Sequence, residues 1–99
     1  MMTNAKEEFL EEMTGKHLKC AMISHYRKGD LHLKVGYSSN ELDQFLESLD
    51  FTYDSGYGGQ ELYGTIWYKD ATWSDRGEYD GSEWWQYNSV PDIPAELLK

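Results

Sequence analysis

The chain is poor in cysteine, in proline, in long apolar runs and in positive charge, and each scarcity removes a class of protein. Its 99 residues include one cysteine, Cys20. An internal disulfide is therefore impossible, and no CxxC or Cys/His spacing offers a structural zinc set. The longest apolar runs are as short as Ala21-Met22-Ile23, which excludes a spanning helix and a secretory core segment. A cytoplasmic protein without a membrane partner is the expectation. Both prolines, Pro91 and Pro94, fall near the end, where a missing amide donor stops any ladder. Nine cations face eighteen carboxylates, for a formal charge of −9. Such a polyanion is repelled by phosphates, so no direct nucleic-acid partner is expected.

What remains is 39% apolar, with aromatics making up 15% of the chain, enough for one ring-rich core and too little for two. A single domain over 1–99 follows. Charge is unevenly spread: residues 1–15 carry −3, residues 16–40 carry +4 together with His17, His25 and His32, and residues 41–99 carry −10.

Asn4 and Glu7 have capping-box spacing, and Ala5, Phe9 and Met13 recur at helical period with glutamates opposite. This predicts an acidic helix over about 5–13, ending at Thr14-Gly15. From Leu18 the period becomes two. Leu18, Cys20, Met22 and Ser24 alternate with Lys19, Ala21, Ile23 and His25, which turns Cys20 inward as a structural thiol. Strands over 18–26 and 31–37, joined at Arg27-Lys28-Gly29-Asp30, form a hairpin with a basic outer face. Ser38 and Glu41 make a second capping box, and Leu42, Phe45, Leu46 and Leu49 give a helix over about 39–49. Short strands are then predicted at 51–53, 61–68, 73–79 and 83–89. Ser55 to Gly59 is a flexible loop, and Asp80-Gly81 a type I′ turn. The tail around Ile93, Leu97 and Leu98 packs as a loop or short helical turn. The fold class is α+β: an antiparallel sheet, N-terminal hairpin plus C-terminal aromatic-rich meander, with two helices on one face.

Candidate chemistry is sparse. His17 and His25 are separated by about 26 Å of extended chain, while His25 and His32 could be cross-strand neighbours, two ligands without a third. No metal or cofactor is expected. Asp75, Glu78, Asp80 and Glu83 could supply an acid/base pair but equally suit a solvated rim. Ser55 to Gln60 lacks the lysine and following helix of a phosphate-binding loop. No catalytic set assembles, and the expectation is a non-enzymatic protein.

The unusual feature is eight rings, Tyr63, Trp67, Tyr68, Trp73, Tyr79, Trp84, Trp85 and Tyr87, among acids within twenty-five residues. One sheet face cannot bury them all. Either some form a protein-contact surface, or they build a second small core under the tail with Ile93 and Leu97.

From Gly58-Gly59-Gln60-Glu61-Leu62-Tyr63-Gly64-Thr65-Ile66-Trp67-Tyr68, through Trp73-Ser74-Asp75-Arg76-Gly77-Glu78-Tyr79-Asp80-Gly81-Ser82-Glu83-Trp84-Trp85, to Pro91-Asp92-Ile93-Pro94, the chain resembles small acidic proteins encoded by tailed bacteriophages and prophages. The resemblance implies a viral setting in a host cytoplasm and transfers no catalytic residue. By analogy of class, small acidic phage proteins suggest inhibitors of host defence, such as anti-CRISPR proteins and DNA mimics. The leading expectation is therefore an inhibitor that binds a basic surface on a host protein through Trp67, Asp75, Glu78, Asp80, Glu83 and Trp85. A different class is a sponge for a nucleotide-derived defence signal, with Arg27, Lys28 and Lys34 on phosphate and Tyr57 on a base. A self-complementary ring cluster would also make a homodimer.

Overall fold

A computed structural model describes residues 1–98. Local sequence signals account for both helices. Asn4 accepts from the Glu7 amide at 2.9 Å and opens α1 (Ala5–Glu12). Only half of a capping box forms there, and the Asn4 side-chain amide donates to Asp50 at 2.9 Å. Ser38 and Glu41 close the full reciprocal box that starts α2 (Ser39–Ser48), satisfying amides that the first turn leaves without partners.

The strands, in chain order, are β1 (Met2–Asn4), β2 (Leu18–His25), β3 (Gly29–Leu33), β4 (Thr52–Asp54), β5 (Leu62–Tyr68), β6 (Trp73–Tyr79) and β7 (Ser82–Asn88). β1 was not anticipated; it pairs antiparallel with β4. The other five form one antiparallel sheet in the order β3-β2-β5-β6-β7, so the basic hairpin and the aromatic meander join along β2 and β5. At the β6–β7 hairpin Asp80 and Gly81 both take positive φ, 51° and 87°, as a type I′ turn demands.

Both helices lie on one face. Phe9 of α1 meets Phe45 of α2 edge-on at 5.6 Å, over a floor of Ala21, Ile23, Leu33, Leu62 and Ile66. The phase of β2 differs from expectation. Leu18 pairs with Tyr68 and Cys20 with Trp67, leaving Lys19 as the extra residue of a bulge. A bulge shifts every later side chain to the opposite face. Leu18, Ala21, Ile23 and His25 therefore point inward, while Cys20, Met22 and Ser24 turn to the other side.

α1 is not simply an acidic solvent face. Glu8 and Glu12, one turn apart, point down onto β6. The Ser74 hydroxyl donates to Glu12 at 2.6 Å and accepts from Tyr68 at 2.7 Å. The Tyr53 hydroxyl donates to Glu8 and accepts from Arg76 at 2.8 Å. After β7 the chain makes a 3-10 turn at Ala95–Leu97, and the apolar side chains Val90, Ile93, Leu97 and Leu98 are all exposed. No second core forms beneath it.

Candidate functional site

Because the helices cover one face, the register fixes which side chains the other face presents. Three rows run across β2, β5, β6 and β7: Cys20, Trp67, Trp73, Asn88; then Met22, Thr65, Asp75, Gln86; then Ser24 and Tyr63 beside Gly77 and Trp84. Three of the four tryptophans thus stand on a sheet face that no helix covers. Tyr63 is 52% exposed, Trp84 41% and Trp67 39%. Trp67 and Trp73 are direct cross-strand partners. Trp84 and Gln86 lie across Gly77, where an added Cβ would fall 2.7 Å from the indole nitrogen and 2.8 Å from the Gln86 oxygen. Glycine at 77 is what lets that ring lie flat.

Asp75 sits at the centre of the middle row. Its carboxylate accepts from the Gln86 amide at 2.9 Å and the Asn88 amide at 3.1 Å, which orients three polar side chains between the rings. On the β2–β3 side the same face dips into a shallow depression of about 300 Å³ formed by Cys20, Met22, His32, Val35, Lys34 and Trp67.

The six residues expected to share one contact surface divide among three places. Trp67 and Asp75 lie on the open face. Glu78 and Asp80 stand exposed at the β6–β7 turn, Glu78 accepting from the Gly81 amide at 3.2 Å. Glu83 and Trp85 are buried on the helix side, 5% and 8% exposed, and cannot touch a partner. The reason is parity: Glu83 and Trp85 alternate with Trp84 and Gln86 along β7, so one set must face α1. Tyr87 follows them to the helix side, where the Lys16 ammonium sits 4.7 Å from its ring.

What Glu83 and Trp85 do instead centres on Arg76, a residue that sequence reasoning passed over. Its side chain is 2% exposed; Nη2 lies 2.7 Å from Glu83 and Nη1 3.2 Å from Glu8, and the guanidinium stacks 4.9 Å from the Trp85 ring. Glu83 also accepts the Glu61 and Leu62 amides at 2.7 and 3.0 Å, anchoring the start of β5. Burial works against the Arg76 charge, yet Glu8, Tyr53 and Glu83 outweigh it and hold the guanidinium above its ordinary value. Burial, then the bond to Glu8, pushes the Tyr53 hydroxyl far up. The sequence signal was available: Arg76 is the only cation between Asp70 and Leu98, on a strand whose alternation places it with Ser74.

The residues proposed for a nucleotide do not converge. Arg27 and Lys28 sit at the β2–β3 turn, while Lys34 follows β3 at its far end; Arg27 lies over Tyr26 at 5.4 Å and Lys28 over Phe51 at 5.4 Å. Tyr57 is exposed on the loop packed against the β6–β7 turn. The histidines are also apart. His25 is buried opposite Gly29, its Nε2 3.2 Å from Glu61 and its Nδ1 accepting the Arg27 amide at 3.2 Å, so it fastens the turn. His32 pairs with Met22 and is exposed on the opposite face, and His17 precedes β2. Cys20, expected inside, lines the open face because of the bulge.

Among the described residues no three His, Cys, Asp or Glu side chains gather to hold a metal, and no helix is long and apolar enough to cross a membrane. Compared with family models, curated proteins and solved structures, the chain matches none.

Proposed function

We propose that this is a non-catalytic binding protein whose open sheet face docks on a basic surface of another protein, in a phage–host setting an inhibitor of that protein. One observation carries the reading: Trp67, Trp73 and Trp84, with Tyr63 and Met22, stand on a sheet face without a covering layer. Exposed tryptophan and tyrosine are the anchors that protein interfaces use, because a rigid ring buries much area at little entropic cost. Charge supports the choice of partner. The only cation of β6 and β7, Arg76, is turned under α1 and paired, so that half of the open face carries Asp75 alone, with Asp70 and Asp80 at its two ends. A surface of this kind attracts a basic partner and repels nucleic-acid phosphates.

The test is affinity isolation of the tagged protein from host lysate at stepped salt, followed by native mass spectrometry. A stoichiometric protein partner, retained at low salt and shed as salt rises, is the expected result. Recovery of a small nucleotide in its place would overturn the reading.

A further inference from the structure

Of the two edges of the five-stranded sheet, β3 is open along its whole length and β7 only in part. β7 is occupied at its start, where the Glu83 amide donates to the Ser55 carbonyl at 2.9 Å and Ser82 bridges Gly56. β3 pairs with β2 and with no other strand. Alternate residues of an edge strand turn their N–H and C=O outward, where only another backbone can satisfy them as a row. β3 has no proline and no bulge to discourage such pairing. Beside it lies a groove of about 350 Å³ between β3 and α2, walled by Leu31, Leu33, Phe45, Gln44, Lys34 and Glu41.

We propose that the occupant is a second copy of this chain, β3 pairing with β3 antiparallel about a two-fold axis at His32. In that register Leu31 stands opposite the second copy's Leu33 on the helix side, so the added leucines enter the groove. On the open side Lys34 stands opposite the second copy's Asp30, twice by symmetry. A register centred on Leu31 would instead set Lys28 against Lys34, like charge on like. The exposed tail does not fit the groove as a strand: Pro91 and Pro94 differ in parity, so one of them always removes a ladder donor. With the axis perpendicular to the sheet, both open faces lie on the same side of a ten-stranded sheet, which doubles the docking surface without depending on what docks there.

Asp30 and Lys34 are exposed, so they can be reversed without disturbing the core. Sedimentation of the full chain over a wide concentration range should show a monomer–dimer equilibrium. Asp30→Lys and Lys34→Asp should each weaken it about tenfold or more, and the double reversal should restore it. Amide exchange should show the outward-facing amides among residues 30–34 gaining protection only at dimeric concentrations, the amides bonded to β2 being protected throughout. A wild-type monomer throughout, a dimer indifferent to the single reversals, or a folded double variant that stays monomeric would each overturn the proposal.

Discussion

At the scale of single residues, the molecule turns on a buried cation. Arg76 pairs with two carboxylates from opposite directions, Glu8 from the helix above and Glu83 from the neighbouring strand, and Tyr53 completes the set. Replacing it with the shorter, uncharged leucine leaves Glu83, with its side chain fully buried, without its cation. Arg76→Leu should cost about 3–5 kcal/mol, read as a fall in the urea midpoint; a loss near zero would show that the pair is incidental. The two buried hydroxyls give a second test. Tyr53 and Tyr68 are both held above their ordinary value, burial being the main cause. The folded state thus keeps a proton that the unfolded chain releases near pH 10, so this stability is whole below that pH and is lost as pH rises through the range above it. The urea midpoint should drop between pH 8 and pH 11, and drop less in Tyr68→Phe, which leaves Ser74 bonded to Glu12; equal drops in both proteins would contradict the assignment.

At the scale of elements, what the sequence disclosed depended on whether the signal was local. The Ser38 box and the Leu42-Phe45-Leu46-Leu49 stripe lie within one helix, and α2 ends one residue from its predicted bound. The Asp80-Gly81 turn was equally legible, being a property of two residues. β1 was hidden because its partner, β4, is some fifty residues away and three residues carry no period. The phase of β2 was misread because a bulge is decided by the neighbouring strand, and one extra residue at Lys19 was enough to move Cys20 and Met22 from core to open face. Charge alone sorts the glutamates of α1 to solvent, whereas Glu8 and Glu12 follow the polar groups waiting on β4 and β6. The open face depends on one such element-level device, the glycine beneath Trp84. Gly77→Ala should lift that ring, altering the near-ultraviolet circular dichroism and costing about 1–3 kcal/mol; an unchanged aromatic spectrum would mean that the ring is not held there.

At the scale of the whole molecule, two layers divide the work. Helices and their half-buried carboxylates stabilise one face of the sheet, and the other face is left free to present rings. The sequence announced surplus aromatics and an acidic meander but could not say which rings were surplus, since a strand's parity is assigned only when a helix lands on one side. That is why, of the residues expected to share one contact surface, Trp67 and Asp75 lie on the open face beside the unanticipated Trp73 and Trp84, while Glu83 and Trp85 lie on the side that faces α1. The measurement that bears most directly on the docking face is the affinity of the isolated partner for two sets of folded variants: Trp67→Ala with Trp84→Ala on the open face, and Glu7→Lys with Glu11→Lys on the exposed side of α1. Loss of affinity by about tenfold or more in the first set and little change in the second is the predicted result. The reverse pattern would move the contact to the helical layer and contradict the account.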